Sequence, residues 1–578
     1  MYIGLQSMFY KYIWGLKAKR DQYATDTANK HMNLVCARRD SAAFQINVAS
    51  EEEFVLTISE SPLFWKEGAI KIARLELKLD APIKTEIKLI GLMEDDDGQL
   101  KAEVLLDDSY IHVEKKRLQQ VWVELHASKD IPTGQYTGTV RLYTHQLFEP
   151  ERLTEELTFA LNVLEDSLPD PHEYRFHLDL WQHNSNIARK YKVELWSDEH
   201  FRIIDGYLAS LAALGQKALT VLVSEIPWLG QMSYMDRQPS DLYEYSMVKV
   251  TRRKNGTFDY DFTAMDNYVE IGFRNGICDE IEVFGLLNVW QDEPEYGVVA
   301  EGYPEAIRIR YKDESDGTYK FMRDSQEVKA YVRALAAHWK AKGWLDKVRI
   351  LADEPADLQV FQRRVDTLLE LVPSLKLKAA ISHSEFIRQR ARGVFDYVVI
   401  ADCAAKEWDH LQELRSEVEG KLSLYVCCGP ARPNTFIRSP SLEARLLPWL
   451  AEYLGFEGFL RWSYTNWPDR PLDSIVYRSS VFPAGDMNLV YPGPSGKPML
   501  SLRYKWLLRG IRDYEYMQIL KRDGKDNVVR EAMQRVFFFE HVKEIYENKP
   551  VAELYSLAPE DYDRLYVPAT INESARLI

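Results

Sequence analysis

Two adjacent carboxylates, Asp353 and Glu354, close the run Val348-Arg349-Ile350-Leu351-Ala352 and are followed by Pro355. Carboxyl groups a few ångströms apart are what acid-assisted glycoside cleavage needs. One gives a proton to the leaving oxygen, and the other steadies the positive charge that develops on the sugar ring. The β-branched run reads as a strand that Pro355 stops, with a helix over residues 356–371 behind it. At the carboxyl end of a parallel strand, the pair would sit on the edge where β/α folds carry their chemistry. A second reading competes on these residues alone: Asp353 is also a good N-cap, and both acids favour a helix dipole.

Other side chains of suitable type lie near further strand ends. Trp462, Tyr464 and Trp467 follow a strand candidate at residues 458–463 and offer aromatic faces to a sugar ring, or a plug for the fold. Trp181 and His183 follow the first strand candidate and Trp290 the third, where each suits ring or hydroxyl contacts and equally suits loop packing. Asn434 lies in the loop after the seventh, within reach of sugar hydroxyls or of its own backbone through Asx hydrogen bonding. That seventh strand reads Leu424-Tyr425-Val426-Cys427-Cys428-Gly429-Pro430 and holds no acid. Asp353 is then the close acidic partner of Glu354, which favours attack by the substrate's own 2-acetamido oxygen. Glu354 would protonate the leaving oxygen, and Asp353 would orient the acetamide. Asp402 and Asp179 are spare acids for a conventional carboxylate nucleophile on sugars lacking an acetamide. A non-catalytic carbohydrate-binding protein is a third class, against which the intact acid pair argues. His177 and His183 are too isolated to suggest a metal, and no phosphate loop or other cofactor motif is present.

The elements that must hold these residues follow from the apolar pattern. Residues 1–170 alternate in short strands, such as 43–48, 70–77, 121–125 and 137–143, which predicts a β-sandwich. From residue 171 strand and helix candidates alternate. Eight strands, at 175–181, 218–223, 280–286, 348–353, 375–381, 397–401, 423–428 and 458–463, predict a (β/α)8 TIM barrel. Asn255-Gly256 and Asp316-Gly317 mark hairpins in the connections after strands two and three. A helix over 502–522 carries Arg503, Arg509, Arg512, Asp513 and Glu515, which read as ion pairs that dock it. The barrel region is placed at 171–523, and 524–578 forms a helical extension.

Bulk properties narrow the class. With 578 residues the chain needs several domains, and 46% hydrophobic with 28% charged residues is the composition of a globular protein. A net charge of −15 opposes binding to nucleic acid or an anionic membrane, and no apolar run is long enough to span a bilayer. Five cysteines without metal spacing, and no secretory leader pattern, point to the cytoplasm.

Several stretches together resemble glycoside hydrolase family 123. These are Leu351-Ala352-Asp353-Glu354-Pro355, Pro433-Asn434-Thr435-Phe436-Ile437-Arg438-Ser439-Pro440 and Gly458-Phe459-Leu460-Arg461-Trp462-Ser463-Tyr464-Thr465-Asn466-Trp467. A further one, Gly485-Asp486-Met487-Asn488-Leu489-Val490-Tyr491-Pro492-Gly493, continues into Ser501-Leu502-Arg503 and Arg509-Gly510-Ile511-Arg512-Asp513-Tyr514-Glu515. The resemblance implies a β-sandwich before a barrel and an exo-β-N-acetylgalactosaminidase activity on a glycoside or oligosaccharide. It also implies, for Asp353 and Glu354, the roles argued above.

Overall fold

The computed structural model describes residues 1–14, 23–59, 69–227, 243–287, 295–298, 307–475 and 482–567. Two six-stranded sheets occupy the amino-terminal part. One includes Tyr2–Ser7, Ser41–Ala49, Leu118–His126, Lys84–Glu94 and Leu100–Leu105; the other includes His31–Arg38, Arg152–Ser167, Gly134–His145, Lys71–Leu79 and Phe54–Thr57. Alternation along each strand sends one side-chain set inward. Phe44, Ile46 and Val48 of the first sheet share a buried cluster with Val140, Leu142, Phe159 and Leu161 of the second. The Phe44 and Phe159 rings meet across the gap at 5.1 Å.

Eight parallel strands then form a barrel-like sheet: His177–Leu180, Ala218–Leu222, Glu280–Phe284, Val348–Asp353, Leu377–Ile381, Val394–Ile400, Leu422–Tyr425 and Gly458–Arg461. Each coincides with one of the eight candidates read from the sequence. From the second strand to the eighth, neighbours in sequence are neighbours in the sheet, and the first pairs with the eighth. Among the described residues, the remaining seam, between the first and second strands, has only the bridge Leu178–Gln216. Side chains complete it. Gln216 Oε1 accepts the Leu180 N–H at 2.9 Å while its amide donates to Ala218 O at 2.8 Å. Gln182 likewise accepts the Thr220 N–H at 2.8 Å, and Thr220 Oγ1 accepts the Gln182 N–H at 3.0 Å. Two glutamines thus take over the work of missing ladder bonds.

The excursions after the second and third strands each make a hairpin, Lys249–Arg252 with Phe258–Asp261 and Arg310–Asp313 with Tyr319–Phe321. The two hairpins join in parallel through Val250–Tyr311 into one four-stranded sheet. After the barrel, the helix Leu502–Arg522 is apolar or ion-paired all round and buried along most of its length. It lies between the two parts of the chain. Arg503 pairs with Glu103 and Arg509 with Asp40 of the amino-terminal sheets, while Asp513 pairs with Arg445 of the barrel. The following helix is Asp526–Val536, with 3-10 turns beyond it. Among the described residues no helix is long and apolar enough to cross a membrane.

Candidate active site

The strand Val348–Asp353 is buried up to its last residue, and Asp353 there faces Ala380 of the fifth strand in parallel register. Glu354 follows in the left-handed region at φ = 45°, a conformation that costs a non-glycine residue roughly 1–2 kcal/mol. Its N–H is tied to Ala380 O at 3.1 Å. The turn aims the carboxylate across the barrel mouth, where the Tyr425 hydroxyl of the seventh strand donates to Glu354 Oε1. The next helix, Leu358–Leu371, is capped by Asp357, whose carboxylate accepts the N–H groups of Gln359 at 2.8 Å and Val360 at 2.9 Å. Helix capping therefore does not account for Asp353 or Glu354. The helix starts two residues later than the sequence pattern suggests because Asp357 takes the cap.

Tyr425 is the residue the sequence pattern did not single out, because a search of strand seven for acids passes over a phenol. Its burial, together with the carboxylates of Glu354 and Asp353, pushes its pKa well up, so it stays protonated and donates. A Tyr at the carboxyl end of an inward-facing strand register was the available signal. The two spare acids differ in setting. Asp179 is buried against Lys378 inside the barrel, whereas Asp402 is exposed in the first turn of Ala401–Lys406, where it accepts the Cys403 N–H at 2.9 Å.

The described aromatic candidates are all buried, Trp462 the least so. Trp462 keeps 8% exposure, with the Phe482 ring at 5.4 Å on one side and the His183 ring edge-on at 6.1 Å. Its indole N–H donates to Asp486 Oδ1 at 3.3 Å, and Arg461 holds the same oxygen at 2.8 Å. Burial pushes the Asp486 carboxyl up to about 6, against the pull of Arg461. Tyr464 and Trp467, expected beside Trp462, are instead wholly buried packing residues. The Tyr464 hydroxyl bonds with Ser210 at 2.7 Å, and the Trp467 indole donates to Val490 O at 2.7 Å. With both side chains fully buried, neither ring presents a face to a ligand. Trp181 is buried edge-to-face on Phe284, 4.8 Å between centroids, as a plug in the barrel top. His183 is buried beside it, and burial drives its imidazole down to about 3, leaving it neutral. Asn434 is a brace for the strand-seven loop. Its amide donates to Cys427 O at 3.0 Å and Pro430 O at 2.7 Å, and its Oδ1 accepts from Arg461 at 3.2 Å. Trp290 lies outside the described residues.

Below the acid pair, Asp179, Glu280 and Glu282 converge closely enough to hold one cation. Lys378 already fills that position, at 2.7 Å from Glu280 and 3.0 Å from Glu282, in addition to its bond with Asp179. His177 adds a contact to Glu280 at 3.1 Å. The cluster braces the barrel interior with an ammonium in place of a metal ion.

Comparison with known proteins bears on this arrangement. The model for the glycoside hydrolase 123 catalytic domain matches residues 181–520, more than half of the chain. A solved family 123 glycoside hydrolase from Clostridium perfringens, studied for glycolipid glycan hydrolysis, superposes with a TM-score of 0.73 at 19% identity. The match covers 99% of this chain and 98% of that one, and at such identity it shows a shared fold. The β-D-glucuronidase of Dictyoglomus thermophilum matches at TM-score 0.29 and 11% identity over 81% of this chain and 66% of that one, too weakly to bear on it. No curated protein matches the sequence. The matched span contains all eight barrel strands but the first, the acid pair, Tyr425 and Trp462, and by that match the chain belongs to glycoside hydrolase family 123.

Proposed function

We propose that this glycoside hydrolase is a retaining, exo-acting β-N-acetylhexosaminidase of the β-N-acetylgalactosaminidase type, in which the substrate's acetamide is the nucleophile. The observation that carries the reading is the opposite wall of the site. The seventh strand faces Glu354 with the Tyr425 hydroxyl rather than with a second carboxylate. A conventional retaining enzyme needs a carboxylate nucleophile about 5–5.5 Å from its acid, on the far side of the scissile bond. Here the acids are chain neighbours on one strand end, a placement that suits one acid for the leaving oxygen and the other for the acetamide.

In the first step Glu354 gives its proton to the glycosidic oxygen as the C1–O bond breaks and the acetamide oxygen bonds to C1. Asp353 accepts the acetamide N–H, holds the group under the anomeric carbon and stabilises the oxazolinium charge. Water then opens the ring at C1, losing its proton to Glu354, and the product keeps the starting configuration. Trp462, the least buried of the described aromatic candidates, supplies the face on which the sugar ring rests. A thiazoline that mimics the cyclised intermediate tests the reading. It should inhibit competitively, and Asp353→Asn should weaken both turnover and that inhibition. An Asp353→Asn enzyme that binds the thiazoline as tightly as the wild type would remove Asp353 from this role.

A further inference from the structure

We propose that Asp96, in the amino-terminal sheets, is a positioning residue for the barrel's sugar site, acting through the loop Phe482–Asp486 on Trp462. This rests on the reading of Trp462 as a sugar-contacting ring. Asp96 sits in the tight turn that joins Lys84–Glu94 to Leu100–Leu105. The turn is closed without its side chain: Gly98 N–H donates to Asp95 O at 2.8 Å, and Lys101 holds Asp95 and, at 2.9 Å, Asp97. Asp96 instead reaches out of its own sheet. Its two oxygens accept the Ala484 N–H at 3.2 and 3.0 Å, and Oδ2 meets Arg438 at 3.1 Å.

Ala484 is gripped from both parts of the chain, since its carbonyl accepts the Ile437 N–H of the strand-seven loop at 2.9 Å. Gly485 follows at φ = 88°, where an added Cβ would lie 3.0 Å from the Arg503 guanidinium and from Ile437 N. Arg503 donates to Gly485 O at 2.7 Å and is itself held by Glu103 of the amino-terminal sheets at 2.6 Å. Two carboxylates from those sheets thus fix the N–H side and, through Arg503, the C=O side of the same short turn. The next residue is Asp486, whose Oδ1 takes the Trp462 indole N–H, and the turn begins with Phe482, whose ring packs on Trp462. A shift of the turn would move the partners of Trp462 on two sides. Asp96 is the accessible anchor, with 29% of its side chain exposed, whereas Glu103 is buried against Arg503.

The test compares Asp96→Ala with Asp96→Asn in the full chain. The asparagine keeps an oxygen for the Ala484 N–H, and the alanine does not. With an aryl β-N-acetylgalactosaminide as probe, Asp96→Ala should raise KM about tenfold, the worth of one hydrogen bond to a charged group, with kcat nearly unchanged. Asp96→Asn should recover most of that loss. In a Trp462→Ala background the Asp96→Ala effect should vanish, because its route is gone. Hydrogen exchange at the Ala484 amide is read on the same proteins and should quicken in Asp96→Ala alone. Wild-type exchange at Ala484 in Asp96→Ala, or an undiminished Asp96→Ala effect in the Trp462→Ala background, would overturn the proposal. Faster exchange with no change in KM would overturn it too; if Trp462→Ala were also kinetically silent, the role given to Trp462 would be what failed.

Discussion

Glu354 is held in a left-handed backbone conformation, its N–H on Ala380 and its carboxylate under the Tyr425 hydroxyl. An acid braced at both ends suits the proposed proton donor, whose importance depends on the basicity of the departing oxygen. Glu354→Gln should therefore lose most activity on glycosides with poor leaving groups and much less on activated aryl glycosides. Rates measured on both substrate types check this, and equal losses would remove Glu354 from the acid role. Tyr425→Phe leaves the ring and deletes the brace. Its kcat should fall by about tenfold to a hundredfold, the scale on which catalytic groups suffer from misplacement, with KM changed far less. An unchanged kcat would make the contact incidental. The acid pair was legible in the sequence because a strand that ends in two carboxylates is a strong local pattern. Tyr425, Asp486 and Arg461 were not, since their importance comes from what lies opposite them across the barrel. The same blindness made Tyr464 and Trp467 look like cleft residues: aromatic type is visible in a sequence, but the burial of the ring is not.

At the scale of elements, all eight barrel strands were legible, because buried parallel strands are short apolar runs separated by amphipathic helices. The hairpins at Asn255-Gly256 and Asp316-Gly317 were legible through their turn residues, but their union into one sheet joins residues far apart in the chain. The seam between the first two strands was hidden for a similar reason: Gln182 and Gln216 read as ordinary polar residues beside strand ends. Their buried amides replace backbone ladder bonds, so Gln216→Leu would leave the Leu180 N–H and the Ala218 carbonyl without this partner. A loss of about 2–4 kcal/mol is expected from two such groups, read as a lower urea midpoint with an unchanged slope. A midpoint within error of the wild type would mean that the seam needs no glutamine.

In the whole molecule, the helix Leu502–Arg522 joins the amino-terminal sheets to the barrel through buried ion pairs. Glu124 illustrates their strength. Burial raises its pKa, yet Lys505 at 2.5 Å, with His126 and Arg512, overcomes this and holds the carboxylate well below the usual range. Such a depressed acid stabilises the fold above its unfolded pKa, near 4.5, and the contribution is lost as pH falls toward the folded value. Lys505→Met strands Glu124 in a buried setting, and a loss of about 3–5 kcal/mol is expected at pH 7, shrinking on acidification. A urea midpoint series against pH checks both parts, and a pH-independent loss would count against the ion pair as its cause.

The joined molecule carries one strand-end acid pair with a phenol opposite it, and the proposed chemistry asks the substrate to bring the missing nucleophile. An intramolecular acetamide can lower the barrier by ~7–11 kcal/mol when well oriented, and a 2-hydroxyl cannot replace it. The most direct measurement compares kcat/KM for an aryl β-N-acetylgalactosaminide and the matching aryl β-galactoside on one preparation. The acetamido substrate should be faster by several orders of magnitude. Comparable values, or a covalent sugar ester trapped on any aspartate or glutamate, would contradict substrate assistance.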